Sequence, residues 1–218
     1  MKHLAFHFDV VSPFAYLAFE RLPQALEGLS VEVSYRPLLF AGLLSHWGQK
    51  GPAEIEPKRA WTYRHVAWLA HRHGIELQMP AQHPFNPLAL LRLAIACAPA
   101  CAPPLGTPSR HVCEQVFRHV WRGGADANDP ARLRALQAAL APALDPAGEA
   151  VKQSLKDATA QAVAKAIFGV PTIEIDGRLF WGLDALDMAA AYLRGDPWFG
   201  GPEETSAVAT RAGLQRRT

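Results

Sequence analysis

Ser12 is the residue whose type and place most plainly offer chemistry. It follows an alternating run, Leu4 to Val10, and stands directly before Pro13, after which Phe14, Leu17, Ala18, Arg21 and Leu22 keep helical spacing to Pro23 or slightly beyond. Pro at the first helical position and Ser as N-cap make a natural helix start, and a serine cap is worth ~1 kcal/mol. As a nucleophile the serine is weak without a general base, and no His or Asp lies beside it in a triad-like pattern, so hydrolysis has little support. Its hydroxyl is better suited to donating a hydrogen bond, and it can be donor and cap at once.

The other reactive side chains offer less. The three cysteines, Cys97, Cys101 and Cys113, are odd in number and lie in helical-looking sequence, which fits reduced, structural thiols and no disulfide framework. Cys97 and Cys101 have i, i+4 spacing, but Pro99 lies between them and no second pair follows, so no metal site is expected. The scattered histidines, His71 and His73 among them, have no ligand spacing preferable to solvent exposure.

The elements that must position Ser12 read as follows. Leu4–Val10 is a strand, the Pro13 segment a helix, and Val31–Pro37 a second alternating strand, which together make a parallel βαβ unit. Phe40 to Pro57 carries Gly42, Gly48, Gly51, Pro52 and Pro57 and reads as a loop or short broken helices. From Lys58 to about Ala166 the chain is rich in Ala and Leu, without a convincing strand, and predicts about four or five helices. Trp61, His65, Trp68 and Leu69 form one stripe there, Leu88, Leu91 and Ile95 another, Val112, Val116 and Val120 a third, and Leu133, Leu136 and Leu140 a fourth; each is expected to pack inward. Val170–Ile175 and Arg178–Trp181 alternate around Asp176-Gly177 and predict a hairpin. A helix from Asp184 to Leu193 follows, and residues 200–218, small, polar and basic, are expected to be disordered. Strands at both ends with helices between them predict an α/β fold in which one sheet is interrupted by an insertion.

Composition bounds the partners. The chain has 218 residues, 50% of them hydrophobic, and a formal net charge of +2 with both signs interspersed. That suffices for a sizeable core and provides no basic stripe for nucleic acid. The N-terminus has no unbroken apolar signal region, and charges or prolines interrupt every run approaching the ~20 residues that span a bilayer. A cytoplasmic protein without membrane partners is expected.

Two separated blocks carry a resemblance. Phe8-Asp9-Val10-Val11-Ser12-Pro13-Phe14-Ala15-Tyr16-Leu17-Ala18 resembles the opening of 2-hydroxychromene-2-carboxylate isomerases and kappa-class glutathione transferases, in the DsbA-like branch of the thioredoxin superfamily. Phe168-Gly169-Val170-Pro171-Thr172, followed by Phe180-Trp181-Gly182-Leu183-Asp184, resembles their closing block. Two such motifs so far apart are much more specific than either alone. The resemblance implies a thioredoxin-like domain, residues 1–40 and 168–199, with an inserted all-helical domain, residues 58–166.

Ser12 then stands where a thioredoxin-like oxidoreductase has the first Cys of its CxxC, and Ala15 stands at the fourth position. A disulfide cannot form at this place, so the resemblance implies an imported thiol, that of glutathione, as cofactor. Ser12 and the start of the helix, at Phe14, would favour the charged sulfur. The resemblance further implies a cis Val170–Pro171 bond turning the Val170 main chain toward the cysteinyl backbone, and Asp184, beside Leu183, meeting the γ-glutamyl end. The family commonly has Arg or Lys after that Asp, whereas this chain has Ala185. Gln49 and Lys58, with Arg59 as the alternative, fall where relatives hold the glycyl carboxylate. Asn86-Pro87 falls at the pocket edge as a substrate contact, or as a helix cap.

The implied activity is glutathione-dependent cis-trans isomerisation of 2-hydroxychromene-2-carboxylate, or a close aromatic-catabolic analogue, to trans-o-hydroxybenzylidenepyruvate, through thiolate addition, rotation and elimination. The partners implied are a small aromatic substrate and a second copy in a homodimer. A kappa-like transferase that conjugates electrophiles and a non-catalytic glutathione- or ligand-binding protein on the same fold are the alternatives.

Overall fold

The computed structural model describes residues 1–99 and 106–209. β1 (Lys2–Phe8), α1 (Pro13–Ala25) and β2 (Val31–Pro37) form the opening unit, with β1 and β2 parallel. On one face of β1, Leu4, Phe6 and Phe8 are fully buried, and their rings meet Phe19 of α1 and Phe117 further along the chain. On the other face Ala5 and His7 are buried as well. A strand covered on both faces is nearly continuous in apolar residues, and β1 accordingly lies inside a four-stranded sheet of order β2-β1-β3-β4.

β1 ends at Phe8, two residues before the strand expected from alternation. Asp9 ends it: its Oδ1 accepts the Val11 N–H at 3.0 Å and turns the chain toward α1. α1 in turn continues past Pro23 to Ala25. A proline inside a helix leaves the carbonyl four residues earlier without its donor. Here that carbonyl, Phe19 O, accepts from both terminal nitrogens of Arg110 at 3.4 Å, and the same guanidinium covers the Phe19 ring at 4.2 Å.

α2 (Phe40–Trp47) and a 3-10 turn at Pro52–Glu54 occupy the Gly- and Pro-rich stretch. Among the described residues five helices follow before the next strand: α3 (Glu56–His73), α4 (Leu88–Ala96), α5 (Arg110–Trp121), α6 (Pro130–Leu140) and α7 (Glu149–Ala164). Ser109 and Asp129 cap α5 and α6 through bonds from Val112 N (3.3 Å) and Arg132 N (2.8 Å). One buried cluster runs from β1 and α1 into α4 and α5, so the inserted helices share the core of the sheet.

The first helical stripe does not pack as expected. α3 buries Thr62, Val66 and Ala70, while Trp61 and Trp68 are 59% and 50% exposed, on either side of the stacked His65 ring. Small and β-branched residues let α3 lie close to its neighbours, and the indoles are left on the outer side. Cys97 and Cys113 are free thiols whose pKa burial pushes up, which makes both poor nucleophiles; Cys101 lies outside the described residues.

β3 (Thr172–Ile175) pairs antiparallel with β1 and with β4 (Arg178–Trp181). The turn between them has φ of 51° at Asp176 and 78° at Gly177, the two left-handed positions of a type I′ turn that closes on the twist of the strands. α8 runs from Leu186 to Arg194. Within the stretch expected to be disordered, Pro202–Val208 forms a further helix, α9. Pro202 starts it, Glu203 and Glu204 sit favourably in its first turn, and Glu204 pairs with Arg178 of β4. Residues 210–218 lie outside the described residues. Among the described residues no helix is long and apolar enough to cross a membrane.

Candidate active site

Ser12 is the N-cap of α1 and is 7% exposed. Its Oγ accepts the Ala15 N–H at 3.2 Å and donates to the Val170 carbonyl at 3.4 Å. The first bond is ordinary capping. The second is at the long limit for a hydroxyl donor, so its proton is held loosely enough to pass to a stronger acceptor. Phe14 N–H, one residue into the helix, has no acceptor among the described residues. Two donors therefore converge at the positive end of α1, which suits an anion.

The Val170–Pro171 bond is cis. Its surroundings lock the segment: Thr172 Oγ1 donates to Gly169 O at 2.7 Å, Trp47 Nε1 donates to Ile167 O at 3.0 Å, and Val170 packs into a small core with Leu38, Leu43 and Ile167. Val170 O faces Ser12 Oγ. Pro171 O accepts Gly182 N–H at 2.9 Å, which draws the turn carrying Leu183 and Asp184 to the same end of the sheet. Leu183 turns its side chain into the core, leaving its main chain for any ligand. Asp184 is exposed, lies over Gly182, and precedes α8 by two residues instead of opening it. Gly182 has φ of 102° and would direct a Cβ into the Asp184 carboxylate, so glycine is needed there.

Gly169 is needed for a different reason, since a Cβ there would overlap the Trp181 indole nitrogen. Gly169→Ala is therefore expected to displace Trp181, lower stability by about 1–3 kcal/mol and alter tryptophan emission. Denaturant unfolding followed by fluorescence checks this, and an unchanged spectrum and midpoint would refute the close approach.

Phe14 meets the His65 ring of α3 edge-on at 6.0 Å, which sets the middle of α3 beside the start of α1. Lys58 and Arg59 are exposed in the first turn of α3, about 10 Å along its axis from His65. They occupy the end where the helix dipole disfavours cations, and neither has an ion-pair partner among the described residues. Gln49 is exposed just beyond α2. Asn86 Oδ1 accepts Leu88 N–H at 3.1 Å at the start of α4, with Pro87, the N-cap residue of that helix, between them.

The sequence reading missed the groups that hold the Ser12 loop. Asp9 is completely buried; besides Val11 N–H it accepts Phe40 N–H at 2.9 Å and so caps α2, which has no side-chain cap of its own. Burial pushes its pKa up to about 7, against the pull of those two bonds. Asp9 stands inside the Phe8–Pro13 motif, and an acid between apolar residues was the available signal. A second ion group, the buried His7 with Glu174 and the exposed Lys165, borders a cavity of about 220 Å³ with Arg36 and Gln161, and Ser12 does not line that cavity.

The profile of the DSBA-like thioredoxin domain matches residues 3–194. The chain belongs to that family. It is 26% identical over 203 residues to a 2-hydroxychromene-2-carboxylate isomerase of Sphingobium xenophagum, covering 88% of this chain and 98% of the relative. Over 83 residues, 38% of this chain and 37% of the relative, it is 28% identical to glutathione S-transferase kappa 2 of Caenorhabditis elegans. Among solved structures, a 2-hydroxychromene-2-carboxylate isomerase superposes with a TM-score of 0.75 at 21% identity, over 95% of this chain and all of that one. The cytosolic disulfide reductase DsbM of Pseudomonas aeruginosa, solved with GSH, superposes at 0.55 and 15% identity, over 94% and 99% of the chains. These superpositions establish the fold.

Proposed function

We propose that this chain is a glutathione-dependent isomerase acting on 2-hydroxychromene-2-carboxylate or a close aromatic analogue. The observation that carries the reading is the loosely held Ser12 hydroxyl at the positive end of α1, beside the cis Val170–Pro171 bond, with Ala15 where a second thiol would stand. The near full-length similarity to the Sphingobium isomerase supports the isomerase reading.

The residues present fit a zwitterionic tripeptide. Ser12 Oγ and Phe14 N–H are placed to donate to its sulfur, Val170 and Pro171 border its cysteinyl part, and the exposed carboxylate of Asp184 suits its ammonium. Lys58 or Arg59, with Gln49, suits its glycyl carboxylate. Bound glutathione supplies a thiolate that adds to a conjugated system and leaves again, so it is not consumed. A thiol of ordinary pKa, about 8.5, needs roughly 2 kcal/mol of differential stabilisation to be half ionised at neutral pH. A hydrogen bond to a charged group contributes about 1.5–3 kcal/mol and a helix end about 0.3–1 kcal/mol, so Ser12 and α1 together suffice. Asn86 and Pro87 are the candidate contacts for the aromatic substrate.

The test is conversion of 2-hydroxychromene-2-carboxylate with and without glutathione. Isomer is expected only with glutathione, at sub-stoichiometric amounts. Consumption of glutathione in proportion to product would indicate a transferase, the reading favoured by the kappa-class match. Absence of glutathione binding by calorimetry at millimolar concentration would overturn both.

A further inference from the structure

The two peptide units before Ser12 have every polar group engaged. Val11 N–H goes to Asp9 Oδ1 at 3.0 Å and Ser12 N–H to Asp9 O at 3.1 Å. The two carbonyls turn the other way, toward the inserted helices: Val10 O accepts Trp121 Nε1–H at 3.0 Å, and Val11 O accepts His83 Nε2–H at 2.7 Å. His83 is braced in turn, since the Tyr63 hydroxyl lies 2.7 Å from its Nδ1 and 2.9 Å from its carbonyl oxygen. The His83 and Trp121 rings contact each other at 5.5 Å, and Gln78 N–H binds Trp121 O at 2.8 Å, joining the loop of His83 to the end of α5.

We infer that His83, oriented by Tyr63 and seconded by Trp121, is a positioning residue that sets the Ser12 hydroxyl by fixing the Val11–Ser12 peptide. The physical reason lies in the direction of the carbonyls. A carbonyl dipole rotated toward the start of α1 would set a negative end beside the place where an anion is expected, and would move Ser12 Oγ with it. Donors on Val10 O and Val11 O hold both oxygens away, so neither carbonyl of these two peptide units faces the end of α1. Burial pushes the His83 pKa down, which favours a neutral ring donating Nε2–H to Val11 O; the single Tyr63 hydroxyl proton is then shared between Nδ1 and the His83 carbonyl oxygen. The inserted segment thus contributes to the site without itself carrying the reacting group. The effect on turnover rests on the glutathione-dependent reading; the effect on the Ser12 loop does not.

Three variants test it in the full chain: His83→Phe, which keeps a ring without the donor; His83→Gln, whose amide nitrogen reaches as far as Nε2; and Tyr63→Phe. His83→Phe is expected to speed amide hydrogen exchange at Val11 and Ser12 about ten-fold or more beyond any change at core amides of β1, the size of one lost buried bond. It is also expected to lower kcat about ten-fold and raise the pKa of bound glutathione, with KM for glutathione within about two-fold. His83→Gln restores exchange and kcat to within about three-fold of wild type, and Tyr63→Phe falls between. Wild-type exchange at Ser12 in His83→Phe, or a rise spread evenly over all core amides, would overturn the inference. If His83→Phe does not fold, Tyr63→Phe with unchanged Ser12 exchange has the same force. Failure of the wild-type protein to bind glutathione would refute the proposed function and leave the exchange experiment to decide the clamp.

Discussion

Ser12→Ala is expected to lower glutathione-dependent isomerisation by about 10²-fold or more while the protein stays folded. Removing one donor aimed at a developing or resident anion has this order of effect in preorganised sites. Structurally the change removes the cap on Ala15 N–H and the contact to Val170 O, which costs ~1 kcal/mol of stability. The two consequences separate cleanly. The pKa of bound glutathione, followed by its thiolate absorbance, is expected to rise by about one unit or more, since a unit corresponds to 1.36 kcal/mol of differential interaction. Ser12→Cys is expected to install a thiol whose pKa lies below the ordinary value, because the end of α1 favours its charged form; the pH dependence of alkylation measures it. Turnover unchanged in Ser12→Ala would remove the hydroxyl from the chemistry.

The largest stability effect is expected at Asp9. In Asp9→Ala the Val11 and Phe40 N–H groups lose their acceptor in the interior, at about 1–3 kcal/mol each, and α2 loses its only side-chain cap. A total of about 3 kcal/mol lowers Tm on the order of 10 °C in a chain of this size. The pH dependence has a definite sign. The folded pKa of Asp9, about 7, lies above its unfolded value, so the folded state binds the proton more tightly. The stabilising effect of that proton is complete below the unfolded pKa and is lost as pH rises from about 4 through 7. The unfolding free energy of wild type minus that of Asp9→Asn is therefore expected to fall across that window and then level off. A difference that rises with pH would show that the two N–H bonds outweigh burial.

Local signals were sufficient where chain neighbours settle the structure. The Ser12-Pro13 helix start, the parallel β1 and β2, the Asp176-Gly177 hairpin and the valine stripe of α5 all follow from period, caps and turn residues, and the structure has them. The resemblance added the cis Val170–Pro171 bond, which residue preference alone would have made trans. Period alone could not tell which side of α3 meets the core. Trp61 and Trp68 have the spacing of a buried stripe, yet Thr62, Val66 and Ala70 were chosen because they permit close approach.

Residue types and short-range order thus determined an α/β fold with one sheet interrupted by helices, which the resemblance identified as DsbA-like, together with the serine at the start of α1 and the absence of a thiol partner at Ala15. The tertiary structure alone decided what holds that serine. Asp9 meets Phe40 across 31 positions, His83 reaches Val11 across 72, and Trp121 reaches Val10 across 111. Buried main-chain donors and acceptors must find partners, but any acid, imidazole or indole brought close enough satisfies them. Which one comes close depends on the packing of distant helices, and pairing at that range leaves no periodic mark in the chain.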